Sequence, residues 1–206
     1  SIVDKFHLPN YGVFDEARVF NSERVSGPLV FKGIRLGLMI CEDMWFSDVA
    51  ESLQESGAQI LIVINGSPFD QNKEDERISV AVSRVVETNL PLIYVNQIGG
   101  QDELVFDGGS FALNNNSKLC LQSSLWVESE DYLELSINNN GLLDINDSVI
   151  NKISNGLESK YSAMVLGLRD YVIKNNFKGV LLGLSGGIDS ALAAAISVDA
   201  LGSDKV

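Results

Sequence analysis

The fold class follows from a stretch that runs GIRLGLMI over residues 33–40 and continues as CEDMW over residues 41–45. Its first eight residues are almost all apolar, which predicts a buried strand that ends at Cys41. Similar apolar runs predict two further strands at 59–65 and 91–96, and helical patterns lie between them at 47–57 and 74–89. This alternation of strands and helices indicates an α/β fold whose sheet is covered on both faces.

The rest of the chain divides into three parts. Residues 99–140 form short strands between turns, which are marked by Gly108-Gly109 and by runs of asparagine. Residues 141–156 are polar and weakly patterned, and we interpret them as a linker. Residues 157–206 begin another domain. Their pattern predicts a helix over 157–175, a strand over 179–184, a glycine loop and a helix over 190–201. The expected organisation is one domain at 1–140, a linker at 141–156 and the start of a second domain at 157–206.

Composition excludes several classes of partner and site. The 206 residues are 45% hydrophobic and carry a net charge of −13, so nucleic acid and anionic membrane surfaces are poor partners. Two cysteines cannot form a disulfide framework, which favours a reducing, cytoplasmic compartment. His7 is the one histidine, which rules out a metal site built from several histidines. Because the sequence opens on Ser1 instead of Met, we expect it to be a piece of a longer protein.

Cys41 is a candidate nucleophile because residues at the carboxyl end of a strand in an α/β sheet face the crevice where ligands bind. The alternative is a buried, inert thiol, since free cysteine is among the most buried residue types. Lys5 is either a solvated surface residue or, if the fold brings it to Cys41, a cation that favours the thiolate and holds an oxyanion.

The second candidate site is the stretch LSGGIDS, residues 184–190, between a predicted strand and a predicted helix. Glycines allow successive backbone N–H groups to point inward, and the helix N-terminus attracts pyrophosphate. Asp189 cannot bind phosphate directly, so its expected role is to bind Mg²⁺. The stretch lacks the lysine of the common phosphate-binding loop. A simple turn in which Asp189 and Ser190 cap the helix is the alternative.

Four strings stand in the same order as in a known family. They are KFHLPNYGVFDE at 5–16, CEDMW at 41–45, NGSPFDQNK at 65–73 and VNQIGGQDELVFDGGS at 95–110. Together they resemble the amidase domain of the glutamine-dependent NAD synthetases, which belong to the carbon–nitrogen hydrolase (nitrilase) superfamily. SGGIDS, at 185–190, resembles the pyrophosphate loop SGGxDS of the ATP pyrophosphatases, which split ATP between the α and β phosphates.

The resemblance implies a partial nitrilase-like α-β-β-α sandwich, followed by the first strand, loop and helix of a Rossmann-like ATP pyrophosphatase domain. The family hydrolyses amides with a Glu–Lys–Cys triad, in which Cys41 matches the nucleophile and Lys5 the lysine. The glutamate that acts as general base lies upstream in the family, and no residue here matches it. Oxyanion stabilisation is expected from Lys5 and the backbone N–H of Glu42. The residues that match the family's glutamine-binding positions or lie close to the thiol are Tyr11, Glu16, Trp45, Ser67 and Lys73.

In the second domain the resemblance implies an ATP site with Mg²⁺ on Asp189. The matching residues are Gly183, Leu184, Ser185, Gly186, Gly187, Ile188, Asp189 and Ser190. The family uses ammonia from glutamine to amidate deamido-NAD with ATP, so its substrates are glutamine, deamido-NAD and ATP. We expect a homo-oligomer for the full-length protein. Two alternatives stay open at this point: an amide hydrolase that is joined to a different ATP pyrophosphatase, and an inactive folded fragment.

Overall fold

The computed structural model of the protein describes residues 2–22 and 24–206. The strands are β1 (Leu29–Phe31), β2 (Ile34–Ile40), β3 (Ile60–Asn65), β4 (Leu92–Asn96), β5 (Ile98–Gln101), β6 (Leu104–Asp107), β7 (Phe111–Leu113), β8 (Leu119–Gln122), β9 (Leu135–Ile137) and β10 (Leu143–Ile145). The helices are α1 (Ser47–Glu55), α2 (Lys73–Thr88), α3 (Gly156–Lys174) and α4 (Ile188–Leu201). These elements confirm the predicted α/β class.

A mixed sheet of six strands forms the centre of the molecule, in the order β1-β2-β3-β4-β7-β8. Strands β2, β3 and β4 pair in parallel, whereas β1, β7 and β8 join antiparallel. The carboxyl ends of the three parallel strands therefore meet at one edge of the sheet. Cys41, Gly66 and Gln97 follow those strand ends and are brought together there.

Helices α1 and α2 cover one face of the sheet. Their apolar residues, such as Leu53 and Val85, pack with Met39 and Val63 of the strands into a fully buried core. A second cluster on other strand positions joins Ile60 to the β8 and β10 segments. The expectation of complete cover on both faces is wrong for the middle of the sheet, where Ile64 is 54% and Val95 43% exposed. An apolar run indicates that a strand tends to be buried, but it does not show that another element of the chain covers the strand.

The predicted linker differs from the structure in its first part. Strand β10 lies within 141–156 and pairs antiparallel with β9. Leu143 and Ile145 are buried in the second cluster, and the side-chain amide of Asn151 donates to the carbonyl of Gln122 at 3.0 Å. The polar composition of the stretch conceals this strand because only two of its side chains face the core.

Helix α3 packs against the hairpin of β5 and β6. The carboxylate of Asp170 accepts the N–H of Gly100 at 2.8 Å, and the ammonium of Lys174 donates to the carbonyl of the same glycine at 2.6 Å. A Cβ atom at Gly100 would lie 3.1 Å from the backbone of Gly167 in α3. The close approach of the hairpin to the helix therefore requires a glycine at this position.

The predicted strand over 179–184 is not formed. In this segment the backbone N–H of Val180 donates to the carbonyl of Lys205 at 2.9 Å, while Leu181 is fully exposed. A strand needs a neighbouring strand for its hydrogen bonds, and no described segment pairs with this one.

Across residues 2–22 and 24–206, none of the helices combines the length and apolar character that a membrane span would require.

Candidate active site

The turn after β2 presents Cys41 in an unusual backbone conformation. Its φ is +51°, in the left-handed region that residues other than glycine seldom adopt. Cys41 is also the first residue of a short 3-10 helix, Cys41–Trp45. Backbone strain of this kind is concentrated at functional sites, where the surrounding structure maintains it. The sharp turn places the thiol at the edge of the sheet.

A cavity of about 470 Å³ lies at this edge and contains Cys41, Lys5 and Glu16. Lys5 comes from the N-terminal segment and Glu16 from a short helical turn, Glu16–Arg18. The ammonium of Lys5 lies 2.6 and 2.7 Å from the two carboxylate oxygens of Glu16. Other lining residues come from the strand ends and the N-terminal segment, namely Asp4, Leu8, Phe14, Phe20, Asn21, Ile40, Ile64, Asn65, Gly66 and Gln97.

Opposing effects act on the thiol of Cys41. Burial raises its pKa, and the charge of Lys5 together with a hydrogen bond from the Gly66 backbone opposes this without cancelling it. The carboxylates of Glu42 and Glu16 raise the pKa further. The thiol is therefore protonated at neutral pH, and attack on a substrate requires a group that accepts its proton.

Glu42 is buried beside the cavity and binds Tyr11. The phenol of Tyr11 donates to both carboxylate oxygens at 2.9 Å. Burial and this hydrogen bond raise the pKa of Tyr11 to about 12. The pair therefore ties the N-terminal segment to the turn that carries the thiol.

Of the residues proposed for glutamine, only Glu16 lines this cavity; the lining does not include Tyr11, Trp45, Ser67 or Lys73. Ser67 is buried, and its hydroxyl accepts from Nε of Arg77 at 3.1 Å. The ammonium of Lys73 lies 4.1 Å from the centre of the Trp45 ring and 3.1 Å from the carboxylate of Glu76. The structure thus brings Lys5, Glu16 and Cys41 together, whereas Ser67, Lys73 and Trp45 have partners of their own.

A buried ion pair that was not foreseen from the sequence supports the loop after β3. Nη1 of Arg77 donates to both carboxylate oxygens of Asp107 at 2.9 Å, and Nη2 donates to the carbonyls of Ser67 and Pro68 at 2.8 and 2.9 Å. Because the loop includes Gly66, this network fixes a donor that acts on the thiol. The available signal was an arginine at the fifth position of α2, the helix that begins at the last residue of the NGSPFDQNK string.

The glycine loop of residues 184–190 is exposed and turns directly into α4. Gly186 has a φ of +83°, and the hydroxyls of Ser185 and Ser190 lie 3.1 Å apart. The Ser190 hydroxyl also donates to the carbonyl of Gly187 at 3.0 Å. Asp189 lies in the first turn of α4 with its side chain exposed. Among the described residues no group of three acidic, histidine or cysteine side chains surrounds a possible metal.

Comparison with protein families now assigns both halves. Residues 1–138 match the model of the carbon-nitrogen hydrolases, and residues 160–206 match that of NAD synthase. The chain belongs to the carbon-nitrogen hydrolase family. In this family setting, the cavity with Cys41 and Lys5 is the candidate amide-hydrolysing site.

Relatives of this carbon-nitrogen hydrolase extend the comparison over both halves. A glutamine-dependent NAD(+) synthetase from Rhodobacter capsulatus is 45% identical over 204 residues, which are 98% of this chain and 36% of that protein. The structure of a glutamine-dependent NAD+ synthetase from Acinetobacter baumannii, in complex with adenosine diphosphate, has a TM-score of 0.90 at 37% identity and covers 98% of this chain and 38% of that one. An amidase from Nesterenkonia sp. has a TM-score of 0.51 at 26% identity, over 60% of this chain and 45% of that one. The chain thus spans little more than a third of the length of the two synthetases.

Proposed function

We propose that this chain forms part of a glutamine-dependent NAD(+) synthetase, in which it hydrolyses glutamine and begins the ATP site. The observation that carries the proposal is the meeting of Cys41, Lys5 and Glu16 in one cavity, in a chain that also carries the glycine loop. The synthetase from Rhodobacter capsulatus aligns over nearly the whole chain, which supports this order of the two parts.

The hydrolytic step begins with attack of the Cys41 sulfur on the side-chain amide carbon of glutamine. The thiol proton passes to the general base, the family's glutamate that no residue among these 206 matches, and then to the departing nitrogen, which leaves as ammonia while a thioester forms. Lys5 and the backbone N–H of Glu42 stabilise the negative charge on the carbonyl oxygen. One such donor contributes about 3–4 kcal/mol to transition-state stabilisation. Water then cleaves the thioester to give glutamate and restore the thiol.

The synthetic step uses the glycine loop. Its exposed backbone, with an open position at Gly186 where a side chain would meet nothing within 4 Å, suits the approach of a pyrophosphate. The carboxylate of Asp189 would hold a Mg²⁺ ion that enters together with the nucleotide. When bound, the ion would supply positive charge beside the phosphates of ATP. The carboxylate of deamido-NAD attacks the α-phosphate of ATP and displaces pyrophosphate, which gives an acyl adenylate. Ammonia then attacks the acyl carbon and displaces AMP to give NAD.

Two expectations about the whole protein belong to the same proposal. The thiols of Cys41 and Cys120 are both free, which suits a reducing, cytoplasmic compartment. Homo-oligomeric assembly of the full-length protein stays a prediction, and light scattering would measure it.

The test separates the two nitrogen sources in the full-length protein. Lys5→Met should lower glutamine-driven synthesis of NAD by about 10²–10³-fold, the effect of losing one oxyanion donor. Synthesis with added ammonia should persist, because the second site does not use the thiol. Asp189→Ala should abolish synthesis from either source.

Matched controls use the second thiol. Cys41→Ala should abolish the release of glutamate, whereas Cys120→Ala should leave it intact because Cys120 is buried in the second core cluster. If Lys5→Met lost synthesis of NAD from glutamine and from ammonia alike, the proposed separation between the hydrolytic site and the synthetic site would be wrong. Glutamate release without any amidation of deamido-NAD would instead indicate an amide hydrolase joined to a different ATP pyrophosphatase.

A further inference from the structure

The buried carboxylate of Asp43 joins two segments that are distant in the sequence. Asp43 is 2% exposed. Its Oδ1 accepts the backbone N–H groups of Phe6 at 3.0 Å and His7 at 2.8 Å, and its Oδ2 accepts the N–H of Ile40 at 2.9 Å. One side chain therefore binds the N-terminal segment and the end of β2 at the same time.

These bonds matter because the N-terminal segment has little other regular structure. Residues 2–10 belong to no helix or strand, so no backbone ladder fixes their position. Lys5 directly precedes the two donors of this segment, and Cys41 directly follows the third donor. Hydrogen bonds to a carboxylate are roughly twice as strong as bonds between neutral groups. Asp43 is thus placed to set the distance between the ammonium and the thiol.

We propose that Asp43 is a positioning residue that holds the ammonium of Lys5 beside the thiol of Cys41. It acts through the backbone of the two segments and does not contact the substrate. The inference deepens the proposed amide-hydrolysing function, on which its importance for catalysis rests.

The charge effect and the positioning effect of Asp43 have opposite signs. Four groups act on the thiol from the surrounding elements, namely Lys5, Glu16, Glu42 and the backbone of Gly66. The phenols of Tyr11 and Tyr94 also interact electrostatically with the thiol. Removing a negative charge from Asp43 would by itself lower the pKa of the thiol, whereas releasing Lys5 would raise it. The direction of the change therefore distinguishes the two effects.

The experiment measures alkylation of Cys41 by iodoacetamide against pH, followed on the peptide that contains Cys41, in the full-length protein. Asp43→Asn should raise the apparent pKa of the thiol toward that of Lys5→Met. Each unit of increase lowers the thiolate fraction at neutral pH about tenfold. The double variant Lys5→Met/Asp43→Asn should show no increase in the thiol pKa beyond that of Lys5→Met, because no lysine is left to release.

Asp48→Asn is the matched control. Its carboxylate lies 2.8 Å from the ring of His7 and so touches the same segment, but from the partly exposed start of α1. We expect it to leave the thiol pKa unchanged. An unchanged or lowered thiol pKa in folded Asp43→Asn, or additive effects in the double variant, would overturn the proposal.

A second pair of variants keeps the test decisive if Asp43→Asn does not fold. His7→Pro removes the N–H that donates to Asp43, and His7→Ala retains that N–H while removing the ring. We expect a raised thiol pKa in the first variant alone, and equal values in both would refute the role of Asp43. Alkylation requires neither glutamine nor ATP, so the result is independent of whether the protein proves to be a synthetase.

Discussion

Replacing Arg77 by methionine is expected to destabilise the protein strongly and to disturb the candidate active site. Arg77 is 3% exposed, and all of its hydrogen-bonding nitrogens have partners in the structure. After the change, the charged carboxylate of Asp107 would remain buried. Its remaining side-chain donor would be the amide of Asn96, at 3.2 Å. The carbonyl of Pro68 would also lose its arginine donor, and the carbonyl of Ser67 would keep only the side-chain amide of Asn96, at 3.2 Å.

The expected loss follows from the burial of the pair. Removing one partner of a buried ion pair costs about 3–5 kcal/mol, because the other charge is left without compensation. In a protein of this size, 1 kcal/mol corresponds to about 2–4 °C in the melting temperature. Arg77→Met should therefore lower the melting temperature by roughly 6–20 °C. Arg77→Met/Asp107→Leu should recover part of this loss, since no unpaired charge remains.

The assay measures thermal and urea unfolding by circular dichroism. It compares Arg77→Met with a variant in which an exposed ion pair is broken. Lys118 and Asp147 form such a pair, with side chains that are 58% and 65% exposed. Lys118→Met should destabilise the protein far less, because exposed ion pairs are screened by solvent and contribute little to stability. If Arg77→Met cost no more than Lys118→Met, the stabilising role of the buried network would be refuted. We also expect a raised pKa for Cys41 in folded Arg77→Met, because the loop that carries Gly66 loses its support.

Two further predictions concern the backbone and the phenol near the sheet edge. Gly109→Ala should destabilise the protein by about 1–3 kcal/mol, because φ is +65° and the new methyl group would lie 2.6 Å from Leu125. Leu125→Ala in the same chain should relieve the steric part, as urea unfolding would show. Tyr11 should ionise near pH 12 in an ultraviolet titration compared with Tyr11→Phe, and Glu42→Gln should lower that value. Since the folded-state pKa is raised, the associated stability is complete below about pH 10 and is lost as the pH rises toward 12.

The strands and helices around the thiol could be predicted because each has a strong local pattern. The apolar runs at 33–40, 59–65 and 91–96 correspond to β2, β3 and β4, within a residue or two at each end. Helix α2 was predicted from residue 74 and begins at Lys73. Local patterns are sufficient here because burial on the sheet and periodicity on the helix are both recorded within a few neighbouring residues.

Elements that depend on a partner were predicted less well. The segment 179–184 is as apolar as the central strands, yet no described strand pairs with it. Strand β10 was missed within a polar stretch, because its pairing with β9 and the burial of Leu143 are decided by residues elsewhere in the chain. Apolar composition expresses a preference for burial, whereas a strand requires a second chain segment at hydrogen-bonding distance.

The sequence by itself determined the candidate nucleophile, because Cys41 stands at the end of a strongly apolar strand, and it determined the glycine loop, because both features lie within a few consecutive residues. Only the tertiary structure decided that Lys5 shares a cavity with Cys41 and that Asp43 joins their segments. The tertiary structure likewise decided that Arg77 donates hydrogen bonds to the loop after β3 and so supports it. These contacts connect residues that are distant in the chain, and their geometry exists only after the parallel strands have brought their carboxyl ends to one edge.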